Sequence, residues 1–247
     1  MLPTRLHPGS RTIGLATLAL AATALAGCQS IAGIQPVSQV RVIDASPDAP
    51  ALDIHQNSAT ALYNIGFGTV SSYVSVDSGP STHAAYTAGT QQQLSQIRAS
   101  LIPGSQYTVL AGNVVANLQM TVLKDQSIPA PAGQVALRFL DQTTRVGALD
   151  IYLLPPGQAP IVASPLIAGA TFASNTGYIN APAGTYSIVA YPAGTVPLNT
   201  AAPAYTGSQL YYPAGSARTV ILIDQPTVPA ATPGLQVLIA DDFDPST

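Results

Sequence analysis

"VRVIDASPDAPALDIH", Val40 to His55, and "LRFLDQTTRVGALDIY", Leu137 to Tyr152, align without a gap. Arg41 falls on Arg138, Asp44 on Asp141, and the "ALDI" of Ala51–Ile54 on that of Ala148–Ile151. Repeats of this kind define architecture before any single motif does. Three further pairs follow in the same order. "AAYTAGT" ending at Thr90 matches "VAYPAGT" ending at Thr195, "GSQYTVL" from Gly104 matches "GSARTVI" from Gly215, and "LQMTVLKD" from Leu118 matches "LQVLIADD" from Leu235. The second copy is longer, mainly around "LLPPGQAPIVASPL", which reads as a loop insertion.

Each copy is rich in short apolar or alternating runs separated by Gly, Pro or Asn-Ser breaks. Examples are "QVRVID", "ALDIHQ", "SSYVSV", "THAAYTA", "YTVLAGN" and "LQMTVLK". Runs of this length at such spacing predict strands and a sandwich. "QQQLSQIRASL" is read as a strand too, because the second copy has "GSQLYYPAG" in that place. The expected class is all-β, with two tandem sandwich modules: residues 39–123 and 135–247, joined by a Pro-rich linker at 124–134. Prolines make such a linker extended and stiff.

The chain has one cysteine, Cys28. Before it stand a basic start with Arg5 and Arg11 and the apolar run "TIGLATLALAATALAG". That is the plan of a secretory signal peptide, and the run is too short for a typical spanning helix of about 20 residues. Leu25-Ala26-Gly27-Cys28 resembles the bacterial lipobox. The resemblance implies cleavage between Gly27 and Cys28 after residues 1–27, and acylation of Cys28, hence membrane attachment by lipid. Several acyl chains anchor stably where one does not. Residues 28–38 would be a tether, and the ten residues after the cysteine, "QSIAGIQPVS", would span only roughly 30 Å at about 3.3 Å per residue. Gln29 follows the cysteine where an aspartate would favour inner-membrane retention, so the expected address is the outer membrane if the source is Gram-negative.

Loss of residues 1–27 removes Arg5 and Arg11 and no acid, which takes the formal charge from −3 to −5. A mildly acidic chain so poor in Lys and Arg is not built for nucleic acid. With the thiol committed to lipid, no disulfide is available and each core must hold by itself.

"VRVIDASPDAPALDIH", "FGTVSSYVSV" from Phe67 and the strand ending "AGT" resemble the DUF4397 domain, a bacterial extracytoplasmic domain of unassigned function. The second copy keeps "LRFLD" and "ALDIY" but has "QTTRVG" in place of the "ASPDAP" type of loop. The resemblance implies an immunoglobulin-like sandwich and brings no catalytic residue.

Arg41 with Asp53, and Arg138 with Asp150, recur in the two copies and are expected to form a cross-strand ion pair in each, a fold role contributing about 0.2–1 kcal/mol if exposed. Asp44 and Asp48, and Asp241, Asp242 and Asp244 in "DDFD", are weak calcium candidates, since hard cations gather several oxygens. Turn-shaping is the simpler reading of these acids. His55 and His83 are too few for zinc. No G-x-S-x-G elbow accompanies them, and the aspartates do not suggest the paired acids of glycoside cleavage. No cofactor is expected. Tyr211 and Tyr212 should point to opposite sides of a strand, and Tyr86 matches Tyr191. The expected work is a non-catalytic structural or interaction role in the envelope, toward an unknown envelope protein or glycan. Glycan or envelope-polymer binding would show as an aromatic cluster exposed on one copy and not on the other.

Overall fold

The structure is a computed structural model that describes residues 37–198, 201–225 and 234–245. Cys28, Gly27, the signal sequence and nearly all of the tether lie outside the described residues. Pro36–Thr247 forms one compact unit, and no α-helix occurs among its described residues. It is an all-β sandwich protein, as expected.

The first half contains β1 (Val37–Asp44), β2 (Leu52–Gln56), β3 (Ala59–Ile65), β4 (Val74–Asp77), β5 (Gly79–Thr87), β6 (Gln93–Leu101), β7 (Gln106–Gly112) and β8 (Gln119–Lys124). They form two sheets, β4-β1-β7-β8 and β3-β2-β5-β6. The second half contains β9 (Gln134–Asp141), β10 (Leu149–Leu154), β11 (Ile167–Ala170), β12 (Asn175–Pro182), β13 (Gly184–Pro192), β14 (Tyr205–Thr206), β15 (Leu210–Tyr212), β16 (Ala217–Asp224) and β17 (Leu235–Phe243). Its sheets are β12-β9-β16-β17 and β11-β10-β13-β14, with β15 also on β13. The same order recurs, including a parallel central pair: β1 with β7, and β9 with β16.

Side-chain alternation assigns each central strand two jobs. In β1, Val40 and Val42 enter the first core, beside Leu52, Ile54 and Val109. Ile43 points the other way into a cluster with Leu110, Leu140, Ile221 and Ile223, which belong to both halves. In β9, Leu137 and Phe139 fill the second core, while Leu140 joins the shared cluster. Burial on both faces is why these strands read as near-continuous apolar runs. The stretch expected to be a linker, 124–134, contributes the buried Asp125 and Ala130. It is therefore part of the packed unit and not a free spacer.

Strand β3 has no counterpart in the runs picked out from the sequence. It follows β2 through a tight turn at Asn57, which takes a positive φ of 54°. "SSYVSV" yields a strand only from Val74.

Candidate functional site

Two arrangements carry most of the polar chemistry. The first is buried between the halves. Arg41 is 2% exposed and so is Arg138, so the expected surface pairs with Asp53 and Asp150 do not form. The physical reason is topological. Arg41 stands on β1 and Asp53 on β2, which belong to opposite sheets of the sandwich. Arg138 on β9 and Asp150 on β10 are separated in the same way.

Each arginine instead reaches an acid of the other half. Arg41 Nη2 meets Asp242 Oδ1, Nη1 donates to the Asp241 carbonyl at 2.8 Å, and Nε donates to Thr108 Oγ1 at 2.9 Å. Arg138 repeats the set. Nη2 donates to Asp125 Oδ1 at 2.6 Å, Nη1 to the Lys124 carbonyl at 3.2 Å, and Nε to Thr219 Oγ1 at 3.0 Å. The Thr108 hydroxyl donates to Asp125 Oδ2 and the Thr219 hydroxyl to Asp242 Oδ2, both at 2.7 Å. Tyr73 and Tyr178 donate to the same two oxygens at 2.8 Å. Each tyrosine ring lies against a guanidinium, at 5.0 Å for Arg41 on Tyr73 and 4.9 Å for Arg138 on Tyr178, within the range of cation–π attraction. Burial alone would pull the Arg41 guanidinium down, but Asp242 and Asp125 outweigh it and hold it above its ordinary value. Burial pushes both tyrosines well up, so they stay neutral donors. The network is satisfied and closed, so its chemistry is structural.

Asp53 and Asp150 pin turns. Asp53 accepts the N–H of Asn64 and of Gly89, each at 2.8 Å. These bonds, Gly89 foremost, hold its carboxyl below the usual range. Asp150 accepts the N–H of Gly169 and of Gly194 at the same distance. All four donors have positive φ, so one carboxylate in each half secures two left-handed positions.

The calcium candidates are not brought together. No group of three or more His, Cys, Asp or Glu among the described residues could hold a metal. Asp48 accepts the Val115 N–H at 2.7 Å, Asp241 pairs with Arg218 at 2.7 Å, Asp242 serves the buried network, and Asp244 lies just past β17. Asp44 accepts the Ser46 N–H at 3.0 Å, the turn-shaping role, and burial pushes its carboxyl up to about 7. His83 is buried against Ser81, 3.1 Å away, and burial lowers its pKa. Tyr212 is buried and Tyr211 exposed, the alternation expected of neighbours on a strand.

The second arrangement is open. On the face of β3-β2-β5-β6 turned away from the core, the His55 and Tyr86 rings stack at 4.4 Å between centroids. Both are half-buried. Tyr86 OH donates to Gln93 Oε1 at 3.0 Å, and His55 Nε2 bonds Thr60 Oγ1 at 3.1 Å. Tyr63 on the neighbouring β3 is 68% exposed, and Gln93 and Gln96 on β6 are exposed beside the pair.

The second half has the same positions in the same register. Asp53 faces Tyr86 as Asp150 faces Tyr191, and His55 faces Ala84 as Tyr152 faces Val189. There the rings are covered: Tyr152 is 3% exposed and Tyr191 5%, in an edge-on pair at 5.9 Å. Ala163, from the insertion, and Ala201 pack over them. So the insertion, together with the segment that carries Ala201, closes in one half the face that stays open in the other. The match of Tyr86 to Tyr191 favours packing at both positions; Tyr191 is fully buried and Tyr86 only half-buried.

Residues 38–152 match DUF4397, a domain of unknown function; the match runs through the first half and ends within β10 of the second. No curated protein matches the chain. Among solved structures, the chain is similar to family 41 carbohydrate-binding modules from streptococcal virulence factors, described for alpha-glucan recognition. Identity is 10%, coverage 74% of this chain and 92% of that one, and the TM-score 0.25. It is also similar to CBMbc, a family 26 carbohydrate-binding module of Eubacterium rectale, in complex with maltoheptaose. Identity is again 10%, coverage 85% and 99%, and the TM-score 0.23. Likeness at this level says nothing about a ligand of this chain.

Proposed function

We propose that the protein is a non-catalytic, lipid-tethered component of the bacterial cell envelope whose first module binds a glycan on the open face of β3-β2-β5-β6. The second half would be a further DUF4397-type copy, with its equivalent face given over to packing. The observation that carries the reading is the contrast between His55–Tyr86, partly exposed, and Tyr152–Tyr191, buried beneath Ala163 of the insertion and Ala201. Aromatic rings offer a flat apolar surface with polar groups at its margin. Gln93, Gln96 and Thr60 supply hydrogen-bonding groups around this one, the mixture a sugar ring presents in return. The lipobox at Cys28 would hold the protein on the membrane, on the outer membrane if the source is Gram-negative. Its tether is short enough to keep the first module near the bilayer.

A second reading, a structural or protein-interaction role, is favoured by the buried arginine network, which ties the two halves to each other. Affinity electrophoresis of the mature chain through gels containing neutral and acidic polysaccharides separates the two. Retardation by at least one polymer, lost in Tyr86→Ala, is expected for glycan binding. Unchanged mobility in all of them would leave the structural role.

A further inference from the structure

We infer that the glycan carries carboxylates and that Arg98 receives one of them; this rests on the glycan reading of the same sheet. Six Lys and Arg side chains fall among the described residues, and four of them are committed. Arg41 and Arg138 are spent in the buried network. Arg145 faces Asp224 at 3.7 Å and Arg218 faces Asp241 at 2.7 Å. Arg98 has no acid beside it among the described residues, and it is exposed on β6, across from Thr82 of β5.

It lines a depression of about 490 Å³ together with Asn57, Thr82 and Ser100, and no acid lines that depression. Asn57 is held in place from both sides. Its N–H donates to the Thr82 carbonyl at 2.7 Å, and its Oδ1 accepts the Thr82 N–H at 3.0 Å. That use of the oxygen fixes the side-chain amide with its Nδ2 donors to spare. A guanidinium, an amide nitrogen and the hydroxyls of Thr82 and Ser100 therefore gather around one hollow. This is a donor set suited to a carboxylate, for which the planar fork of arginine is matched in shape.

The placement along the sheet links the hollow to the aromatic pair. Tyr86 and Thr82 lie on the same face of β5, four residues apart, roughly 13 Å at about 3.3 Å per residue. Tyr86 and Arg98 thus mark two ends of one track that an oligosaccharide can span and a monosaccharide cannot. With one cation at the hollow, the carboxylate contributes selectivity more than affinity: roughly a two- to five-fold preference, in line with exposed ion pairs, and reduced by salt.

The test measures binding of the mature chain to polygalacturonate, alginate and hyaluronate, each beside its carboxyl-reduced form. Wild type, Arg98→Gln and the surface control Lys124→Gln are compared. The expected result is tighter binding of an acidic polymer than of its reduced form. Arg98→Gln should abolish that preference while keeping the affinity for the reduced polymer, and Lys124→Gln should leave both alone. Equal affinity for acidic and reduced forms, or a preference that survives Arg98→Gln, overturns this inference and leaves the glycan reading standing. Binding to no polymer, acidic or neutral, overturns both.

Discussion

Replacing Asp242 by alanine strands the Arg41 guanidinium inside the unit. Its remaining contacts would be Thr108, the Asp241 carbonyl, the Tyr73 ring and Asp125 at 3.9 Å. Removing one partner of a buried pair costs about 3–5 kcal/mol, here because the guanidinium stays desolvated with only the 3.9 Å contact to Asp125 as counter-charge. A unit of this size shifts by about 2–4 °C per kcal/mol, so a fall of roughly 6–20 °C in Tm is expected. The single variant does not by itself identify the partner, but a double-mutant cycle does. Arg41→Ala, Asp242→Ala and their combination should show a coupling of about 1.5 kcal/mol or more in urea unfolding. The same cycle with Arg41 and Asp53 should give a coupling within about 0.5 kcal/mol of zero, since the two side chains share no partner. Constancy of the m-value guards against a change in the unfolded state. A coupled 41/53 pair, or an uncoupled 41/242 pair, would refute the pairing of Arg41 with an acid of the other half.

Asp44 is buried with a carboxyl raised to about 7. The folded state therefore keeps a proton that the unfolded chain, with a pKa near 3.9, releases. The contribution is fully present below about pH 4 and is lost as pH rises toward 7; the raised Asp141 has the same sign. Urea midpoints at pH 4.5 and 8 should accordingly fall less in Asp44→Asn than in wild type. A fragment ending at Lys124 would uncover Ile43, Leu110 and Leu123, so it should self-associate or bind a hydrophobic dye. A well-folded monomer would contradict the shared core. Tyr152→Ala should lower Tm by opening a cavity without altering polysaccharide retardation, the reverse of Tyr86→Ala. Cys28→Ala should release the protein from the membrane fraction on ultracentrifugation.

The recurrence of one sheet order in the two halves was legible because both keep the same residues at the central strands. The sandwich followed from the short runs between turn residues. What the repeat could not say is which copy an arginine serves. Arg41 and Arg138 each have an acid in their own copy and its equivalent in the other, and only the sheet assignments separate Asp53 from Asp242. The matched endings "LKD" and "ADD", with Thr108 under Thr219, held the signal for the true network. It becomes readable only once the faces of β1 and β9 are known to point at each other's half. Strand β3 escaped because "ATALYNI" is short of β-branched residues and follows directly on a two-residue turn. The open aromatic face depended on the insertion. Its length was visible in the sequence, but where it folds back is a matter of packing against Tyr152 and Tyr191.

The most direct test of the central claim is hydrogen exchange of the mature protein with and without a retarding polysaccharide. Added protection should appear in β2, β3, β5 and β6, around His55, Tyr63 and Tyr86, with β10 and β13 unchanged. Protection confined to the second half, or spread evenly over both, would contradict the assignment of binding to the open face of the first.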